Sequence, residues 1–453
     1  MAGPNDSRRL LACGDDGRVV LRHSEGLLTE RELLRRATRI AALLPRHRHV
    51  INLCETRAAF LLAFVAALIR RQTTLLPASR AAQAIEAVEG LHTDCYRCDD
   101  AFIRAVEVDA ATLVVDEHAL FELKSIEPDF PAAIGFTSGS TGTPQANLKR
   151  WRAFVNSARV NEAAMRNAAT TLADAPTATV IATVPAQHMY GMELSVALPL
   201  LGGMAISPAK PLFAAEIAAA LAQAPEPRVL VSTPIHLRVL LESAVQLPRL
   251  ALIVSATAPL DQQLALQLER RLDAPLLEMF GATETMVIAA RRTAVELAWQ
   301  PYPEVVLTPS PEHTTVQTPW FDSPQQLLDQ IELQTDGRFL LRGRSADLIE
   351  IAGKRGSLGE LTRRLLDIDG VEDAVVIQPG DEQARLRRVA ALVVAPTLTP
   401  HVILAALATS VDAVFLPRPL FIVQELPRNA VGKLPRAAVL EALDRAARTA
   451  RSP

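Results

Sequence analysis

The residues best suited to bind a phosphate chain form one glycine- and hydroxyl-rich segment. Residues 135–145 read Gly-Phe-Thr-Ser-Gly-Ser-Thr-Gly-Thr-Pro-Gln and overlap the apolar run 132–136, so a strand leads into a loop rich in hydrogen-bond donors. Glycines let backbone N–H groups approach phosphate oxygens, and Ser and Thr hydroxyls add donors. A surface turn has a similar composition, but this particular order of residues predicts a phosphate-binding loop.

Three further segments combine a glycine with residue types that take part in catalysis. Residues 185–191 read Pro-Ala-Gln-His-Met-Tyr-Gly, residues 279–285 read Met-Phe-Gly-Ala-Thr-Glu-Thr, and residues 426–436 read Leu-Pro-Arg-Asn-Ala-Val-Gly-Lys-Leu-Pro-Arg. Taken alone, His188 is more often a structural histidine and Lys433 a solvated loop residue. Residue type and spacing alone therefore assign no role to either side chain.

Short β-branched runs that alternate with helical stretches position these segments. Residues 29–32 (Thr-Glu-Arg-Glu) form a capping box ahead of a helical periodicity. Strands are predicted at 113–115, 179–184, 229–232, 252–255, 276–280 and 286–290, and helices at 214–223 and 262–271. Continuous apolar strands between helices predict an α/β fold with largely parallel sheets covered on both faces. Loops at the strand ends then build the site.

The segment at residues 137–144 resembles the phosphate loop of the adenylate-forming superfamily, which includes acyl-CoA and aryl-CoA ligases, luciferases and the adenylation domains of peptide synthetases. It does not match the P-loop of nucleoside triphosphatases, because no Lys stands where GxxxxGK[ST] requires one. The superfamily usually has Lys after the Pro, where this chain has Gln145. Lys149 is the nearest cation that could replace it. The resemblance implies that ATP is bound by Thr137, Ser138, Gly139, Ser140, Thr141, Gly142 and Lys149.

Residues 255–260 (Ser-Ala-Thr-Ala-Pro-Leu) resemble the superfamily loop that runs along adenine. Ala256 and Thr257 stand where two glycines are usual. The same residues also read as a strand-to-helix turn, which is compatible with the resemblance. Ala256 and Thr257 are therefore expected to contact the nucleotide.

Residues 280–284 resemble the superfamily motif Tyr-Gly-x-Thr-Glu, with Phe280 in place of the tyrosine. The resemblance implies that Phe280 stacks on adenine and that Gly281 permits close approach of the backbone. It also implies that Thr283 contacts the α-phosphate and that Glu284 is catalytic and binds Mg²⁺.

The segment Pro-x-x-His-x-x-Gly at 185–191 resembles the superfamily segment whose His or aromatic residue gates the acid-binding pocket. Superfamily members that activate amino acids commonly have an Asp after an aromatic residue here, and this chain has none. Glu193 is near enough in sequence to keep an amino-acid substrate open. The resemblance places four residues at the acid, with His188 also in catalysis: His188, Tyr190, Gly191 and Ala282.

The C-terminal part resembles the small mobile domain of the superfamily. Residues 343–355 resemble its hinge, although Ala346 stands at the hinge Asp position. The resemblance predicts three parts: an N-terminal adenylation domain with the ATP and acid site at 1–343, a hinge at 344–347, and a small mobile α+β domain at 348–453.

Three further site residues follow from the same resemblance. Asp329 corresponds to the ribose-binding Asp that precedes the Gly-Arg pair, and Arg344 completes that pair. Gly432 presents Lys433 at a loop tip, where the superfamily has its catalytic cation. Such a cation neutralises the charge that spreads as carboxylate attacks the α-phosphate and pyrophosphate leaves.

Composition sets the class of protein and its compartment. The chain has 453 residues, 49% hydrophobic, and a net charge of −3, which argues against a dedicated nucleic-acid binder. Four cysteines in this length make no disulfide framework, so we expect a reducing cytoplasm. The most apolar segment, 58–69, is shorter than the ~20 residues of a membrane span. We therefore predict no membrane span.

The resemblance runs over nearly the whole chain and implies an AMP-forming acid–thiol ligase. An acid and ATP give acyl-AMP and pyrophosphate, and a phosphopantetheine thiol then takes the acyl group. Gln145 and the following Lys-Arg-Trp at 149–151 are most similar to AMP ligases of aryl polyene or xanthomonadin-type pigment synthesis, so hydroxybenzoate is the expected acid. A medium-chain fatty acid is the alternative substrate. A nucleotide-binding partner protein with weak catalysis is the alternative function, indicated by Gln145, Ala346 and Glu350.

The motifs do not choose between coenzyme A and an acyl carrier protein, because both present the same thiol arm. Residues 348–453 contain more Lys and Arg than Asp and Glu, although the whole chain is net negative. An acidic carrier protein would be attracted to this positive part. A carrier protein is therefore the slightly favoured acceptor.

Overall fold

The computed structural model describes residues 9–10, 17–23, 26–114, 125–138, 144–173, 175, 177–310, 313–344, 348–351, 354–379, 388–429, 432 and 434–450. The chain divides into two compact units, Met1–Val305 with Gln317–Gln325, and Val306–Val316 with Gln326–Pro453. Residues 345–347 of the predicted hinge lie outside the described residues. The predicted domain boundary therefore stays a prediction.

The first unit alternates strands and helices. Its strands are β1 (Arg9–Leu10), β2 (Val19–His23), β3 (Gly26–Thr29), β4 (His49–Asn52), β5 (Thr73–Leu76), β6 (Cys95–Cys98), β7 (Ser125–Ile126), β8 (Pro131–Ser138), β9 (Pro144–Arg150), β10 (Thr179–Ala182), β11 (Ala205–Ile206), β12 (Arg228–Ser232), β13 (Leu252–Ser255), β14 (Leu276–Ala282), β15 (Met286–Arg291) and β16 (Gln300–Pro301). Its helices are α1 (Glu30–Leu43), α2 (Arg57–Ile69), α3 (Ala82–Leu91), α4 (Asp100–Ala110), α5 (Trp151–Ala168), α6 (Thr170–Ala173), α7 (Met189–Met192), a π-helical turn (Glu193–Ala197), α8 (Leu198–Leu201), α9 (Ala214–Gln223), α10 (Pro234–Glu242) and α11 (Gln262–Leu272).

The larger sheet has the strand order β16-β15-β14-β13-β12-β10-β11-β2-β3. Its central strands are parallel, and antiparallel strands close both edges. Alternate residues of the central strands β10, β12 and β13 enter two different apolar clusters. Ile181 packs with α9, α10 and α11, whereas Val180 packs with the helices of the opposite face. The prediction of a largely parallel sheet covered on both faces is confirmed.

The smaller sheet carries the phosphate-binding segment. Its order is β6-β4-β5-β8-β9, and β8 is parallel to β5 but antiparallel to β9. Strand β8 is the predicted strand that leads into the loop. The loop itself, 139–143, connects β8 to β9 and lies outside the described residues.

The helices follow their sequence signals. The Thr29 side chain accepts a hydrogen bond from the Glu32 backbone N–H and begins α1, as the capping box predicted. Helix α2 is buried on nearly all sides, as expected for an apolar segment of its length. Within the part of the chain that the structure describes, no helix is both long and apolar enough to cross a membrane.

The second unit is α+β. It contains β17 (Val306–Pro309), β18 (Thr314–Gln317), β19 (Gln325–Leu327), β20 (Asp329–Leu333), β21 (Phe339–Arg344), β22 (Leu348–Ile351), β23 (Lys354–Ser357), α12 (Leu358–Leu366), β24 (Asp373–Ile377), β25 (Ala390–Val394), α13 (Pro400–Ala408), a 3-10 turn (Ala413–Phe415), β26 (Leu420–Ile422) and α14 (Arg436–Thr449). Helices α12 and α13 pack on one face of the sheet β24-β25-β26, and α14 packs on the other. An α+β C-terminal part was predicted.

One predicted strand is wrong. Leu113 and Val114 are not in a strand; they follow α4, and the Val114 side chain is 96% exposed. Val115 lies outside the described residues. This short apolar run was read as a buried strand, but within the described residues it pairs with no strand, Val114 is exposed and Leu113 is only partly buried.

Candidate functional site

Three of the predicted motifs meet at Gly135. A Cβ atom built on Gly135 would lie 3.1 Å from Cε of Met189 and 3.1 Å from Cγ2 of Thr283. Gly135 is on β8, Met189 begins α7, and Thr283 follows β14. The strand that leads to the phosphate loop, the histidine segment and the 280–284 segment therefore share one region of the first unit.

The described residues on either side of the phosphate loop pair with each other in a β-hairpin. Thr137 lies opposite Gln145, and Ser138 lies opposite Pro144, across the β8–β9 hairpin. Gln145 is exposed on β9. Gly139, Ser140, Thr141 and Gly142 lie outside the described residues.

Residues 280–286 form a tight turn between two antiparallel strands. The pairing shifts between Phe280 and Gly281, and a Cβ on Gly281 would lie 1.9 Å from the carbonyl oxygen of Met286. Only glycine allows this approach, because a side chain would overlap main-chain atoms. The Ala282 N–H donates to Oγ1 of buried Thr285, 3.0 Å away, and closes the turn. Thr283 and Glu284 lie at its tip, partly exposed.

The Phe280 ring lies beside Trp299, whose ring is covered in turn by Arg291. Its ring centroid is 5.2 Å from that of Trp299, and the Arg291 guanidinium lies 4.3 Å above the Trp299 ring. The Glu278 carboxylate accepts from Arg291 Nε at 2.7 Å. Burial raises the pKa of Glu278, and Arg291 opposes that rise. These contacts fix the strand that presents Phe280.

Lys149 is buried beneath the 280–286 turn. Its side chain is 2% exposed, and Nζ donates to the main-chain carbonyl oxygen of Glu284 at 2.6 Å. The Phe321 ring centroid lies 5.2 Å from the same Nζ. Desolvation lowers the pKa of Lys149 to about 8, while Glu193 and Glu284 act in the opposite direction. The side chain thus joins the phosphate-loop hairpin to the 280–286 turn.

Glu193 holds the other end of this turn. Both carboxylate oxygens accept from the Val287 N–H, at 3.2 and 3.1 Å, and Oε2 also accepts from Ser157 Oγ at 2.6 Å. Burial raises the pKa of Glu193 to about 7, against the lowering effect of these bonds and of Lys149. Because its oxygens are occupied and 1% exposed, Glu193 is not available to bind a substrate ammonium. Glu193 was the residue that kept an amino-acid substrate possible, and the structure therefore gives no support to such a substrate.

The histidine segment is a strand end followed by a helix. Half-buried His188 is the N-cap residue of α7, and buried Tyr190 and Gly191 lie in its first turn. A Cβ on Gly191 would lie 1.9 Å from the carbonyl oxygen of Pro185, so this glycine is required for the turn. The Tyr190 hydroxyl is 3.3 Å from the Ser232 carbonyl oxygen, to which it donates. A π-helical turn at Glu193–Ala197 then interrupts the helix, a feature that is frequent at functional sites.

The segment after β13 contains a residue with an unusual backbone conformation. Thr257 has φ of 80°, in the left-handed region, where glycine is usual. Ala256 is buried and Ala258 partly buried. The Leu260 N–H donates to Oε1 of Glu278 at 3.0 Å, which ties the loop to β14.

Sequence reasoning missed a buried arginine next to the histidine segment. Arg57 donates from Nη1 to Ser195 Oγ at 2.6 Å and from Nη2 to the carbonyl oxygens of Ala182 and Val184 at 2.6 and 2.9 Å. Burial lowers its pKa to about 10. The signal in the sequence was an Arg directly ahead of a fully apolar helix, which reads as a solvated flank.

A second missed group lies at the carboxyl ends of β10 and β12. Thr183 Oγ1 is 3.0 Å from Ser232 Oγ, and Thr233 Oγ1 is 2.9 Å from Nδ1 of His236. Desolvation lowers the pKa of His236. These residues are scattered in sequence, and only the parallel register of the sheet brings them together.

In the second unit, Asp329 and Arg344 are direct partners across the β20–β21 hairpin. The resemblance assigns one of these residues to the ribose and the other to the Gly-Arg pair. They thus lie side by side on neighbouring strands. Lys433 and hinge residues 345–347 lie outside the described residues.

Glu284 suits a magnesium ion bound mainly by phosphate. Among the described residues no group of three or more His, Cys, Asp or Glu side chains is arranged for a metal. Mg²⁺ is commonly held by one or two carboxylates together with substrate phosphates and water. A single partly exposed carboxylate beside the phosphate-loop hairpin fits that donor set.

Comparisons with known proteins agree with this arrangement. A model of the family described as AMP-binding enzyme matches residues 41–319. The chain is 33% identical over 312 residues to a 4-coumarate–CoA ligase of Halorhodospira halophila, which covers 66% of this chain and 73% of that protein. The structure of ATP-bound MatB from Rhodopseudomonas palustris has a TM-score of 0.77 and 19% identity, covering 95% of this chain and 96% of that chain. That of o-succinylbenzoate coenzyme A synthetase (MenE) from Bacillus subtilis in complex with AMP has a TM-score of 0.74 and 16% identity, covering 93% and 95%. The fold is that of adenylate-forming enzymes.

Proposed function

The chain belongs to the AMP-binding enzyme family and is an AMP-forming acid–thiol ligase, and we propose that it activates an aromatic acid through Thr283, Glu284 and the phosphate loop. The observation that carries this proposal is the convergence at Gly135. There the side chains of Met189, in the histidine segment, and Thr283 lie so close to the phosphate-loop strand that a Cβ on Gly135 would be 3.1 Å from each. An acid bound beside His188 would have its carboxylate next to the residues expected to bind the α-phosphate.

The proposed reaction has two steps. In the first, the acid carboxylate attacks the α-phosphorus of ATP, an acyl–phosphate bond forms, and the bond to pyrophosphate breaks. Backbone N–H groups and hydroxyls of 137–142 hold the phosphates, and Thr283 donates to the α-phosphate. Mg²⁺, held by Glu284, would neutralise phosphate charge. In the second step a thiol replaces AMP on the acyl carbon, and AMP leaves.

Two residues outside the first unit, Lys433 and Asp329, have proposed roles. Lys433 supplies positive charge at the reacting carboxylate and α-phosphate, because it lies in the C-terminal segment that resembles the superfamily's catalytic loop. Asp329, the direct backbone partner of Arg344, accepts from the ribose hydroxyls. A boundary at 344–347 would let the C-terminal part move between the two steps.

An aromatic substrate is supported by the residues around the expected pocket and by the relatives. Ala256, Ala258 and Ala282 are small and leave width for a ring. The relative from Halorhodospira halophila is named for 4-coumarate, a phenolic acid. Hydroxybenzoates and hydroxycinnamates are therefore the proposed acids. The Tyr190 hydroxyl donates its proton to a backbone carbonyl, so half-buried His188 is the candidate donor to a phenol oxygen.

The acceptor is proposed to be a phosphopantetheine thiol. The relative is named as a CoA ligase, whereas the excess of Lys and Arg in 348–453 favours an acidic carrier protein. Transfer rates to coenzyme A and to a loaded carrier protein, measured from the same acyl-AMP at equal acceptor concentration, decide between the two acceptors.

The substrate is tested by kcat/KM for pyrophosphate release with 3- and 4-hydroxybenzoate, 4-coumarate and octanoate. The proposal expects the aromatic acids to exceed octanoate by more than about tenfold, or about 1.4 kcal/mol of transition-state stabilisation. A preference for octanoate would make this a medium-chain fatty acyl ligase. Nucleotide binding without pyrophosphate release for any acid would instead support a partner protein.

A further inference from the structure

Two buried ionisable side chains form hydrogen bonds with the backbone of the turn that carries Thr283 and Glu284, one at its tip and one just after it. Lys149 Nζ donates to the Glu284 carbonyl oxygen at 2.6 Å. The Glu193 carboxylate accepts from the Val287 N–H at 3.1 Å. Both contacts are to main-chain atoms, so they set the path of the backbone and leave the Thr283 and Glu284 side chains available.

Each of the two residues belongs to a different part of the site. Lys149 is on β9, the strand that returns from the phosphate loop. Glu193 is in the π-helical turn, a few residues after His188. The backbone segment 283–287 covers the tip and the end of the 280–286 turn. Hydrogen bonds therefore connect this segment to the phosphate-loop hairpin on one side and to the acid-pocket helix on the other.

Further contacts hold Glu193 in place. Ser157 Oγ donates to its carboxylate at 2.6 Å, and Asn161 Nδ2 donates to Ser157 Oγ at 3.0 Å. The Tyr302 hydroxyl in turn donates to Asn161 Oδ1 at 2.9 Å. This series of hydrogen bonds holds the Glu193 carboxylate in one orientation, in which it accepts from the Val287 N–H.

Packing alone does not require charged groups at these two positions. Burying an ammonium or a carboxylate costs free energy unless hydrogen bonds compensate, and an apolar side chain of similar volume is often neutral or stabilising there. The two buried groups are thus better explained by the backbone atoms they hold than by stability.

We propose that Lys149 and Glu193 are positioning residues that act on bound nucleotide through the 283–287 backbone. Lys149 does not replace the lysine missing at Gln145 by touching phosphate; it orients the segment that does. The inference rests on the proposed function, because Thr283 and Glu284 bind the α-phosphate and Mg²⁺ only in that account.

The test measures binding of AMP and of Mg-ATP by titration calorimetry, without any acid. Lys149→Met and Glu193→Leu should each weaken both nucleotides by about ten- to a hundredfold, the usual effect of losing a group that orients a ligand-binding residue. Because both residues hold one turn, the double variant should lose less than the product of the single losses. Glu193→Gln, which keeps an oxygen acceptor for Val287, should recover most of the Glu193→Leu loss. Exposed Lys210→Met is the control and should bind within twofold of the unmodified protein.

Three results would overturn the proposal. With Mg²⁺ removed by EDTA, Lys149→Met could weaken ATP and leave AMP unchanged, which would mean direct contact of Lys149 with the outer phosphates. Glu193→Leu could leave both affinities unchanged while thermal unfolding shows a folded protein. The losses could also be fully additive, which would mean independent roles. Because no acid is present, these results are separate from the outcome of the pyrophosphate assay, which tests the proposed function.

Discussion

Gly135 lies so close to Thr283 that a Cβ at position 135 would be 3.1 Å from Cγ2 of Thr283. One residue precedes the phosphate loop, and the other lies in the turn between β14 and β15. This proximity places the residues expected to bind phosphate at two neighbouring sheets of the first unit.

Gly281→Ala should destabilise the protein by more than about 2 kcal/mol, because the added Cβ would overlap main-chain atoms of Met286 and the strand has to move. Urea unfolding gives the change, and Mg-ATP binding should fall with it. Gly90→Ala is the matched control, since nothing lies within 4 Å of its Cβ. That control should not be destabilised. Equal stability of the two variants would contradict the observed turn.

Glu193 should make stability depend on pH. Burial raises its pKa from 4.5 to about 7 in the folded protein. Its contribution to stability is fully present below pH 4.5 and is lost as the pH rises through 7, at up to about 1.4 kcal/mol per pH unit. Glu193→Gln lacks this titration, so the stability of the unmodified protein relative to this variant should fall between pH 5 and pH 8.

Urea unfolding at several pH values measures that difference, with exposed Glu86→Gln as the control. Lys149, Tyr190 and Tyr302 are the titratable neighbours of Glu193. A difference between the unmodified protein and Glu193→Gln that stays constant with pH would mean that Glu193 is ionised throughout.

Arg57→Met should cost about 2–4 kcal/mol of stability, because the carbonyl oxygens of Ala182 and Val184 lose their donor in a buried environment. Thermal and urea unfolding measure the loss. Arg48→Ala is the control, since the Arg48 side chain is 86% exposed and its ion pair with Asp94 spans 3.8 Å. A change below about 0.5 kcal/mol is expected there. Similar costs for the two variants would show that the Arg57 hydrogen bonds contribute nothing.

Lys433→Ala should abolish acyl-AMP formation and largely spare thioester formation from supplied acyl-AMP. The reason is that the lysine's charge is needed while pyrophosphate leaves and not while the thiol attacks. Single-turnover assays of the two half-reactions measure this directly. Equal losses in both half-reactions would refute the assignment.

The sequence predicted the central sheet well because its strands are short apolar runs between helices. The strand predicted at 252–255 is β13 itself, and the helix predicted at 214–223 is α9 itself. The strand prediction for Leu113 and Val114 was wrong because an apolar run forms a strand only where another strand lies beside it. Local composition does not contain that information.

The site was predictable where a motif is continuous, as at 280–284, and unpredictable where contacts join distant residues. Lys149 was identified as a cation that follows the loop, but its partner is a carbonyl oxygen 135 positions later in the chain. Glu193 was read as a possible substrate ligand, yet the register of β15 brings the Val287 N–H to its carboxylate. Such contacts depend on tertiary packing, which a single sequence does not show.

Exchange of labelled pyrophosphate into ATP tests the central claim most directly, because it reports reversible acyl-AMP formation without any thiol. With Mg²⁺ and a hydroxybenzoate or hydroxycinnamate, the account predicts acid-dependent exchange that is lost in Lys433→Ala and strongly reduced in Lys149→Met. Mg-ATP binding to the unmodified protein without exchange for any aromatic or fatty acid would contradict it.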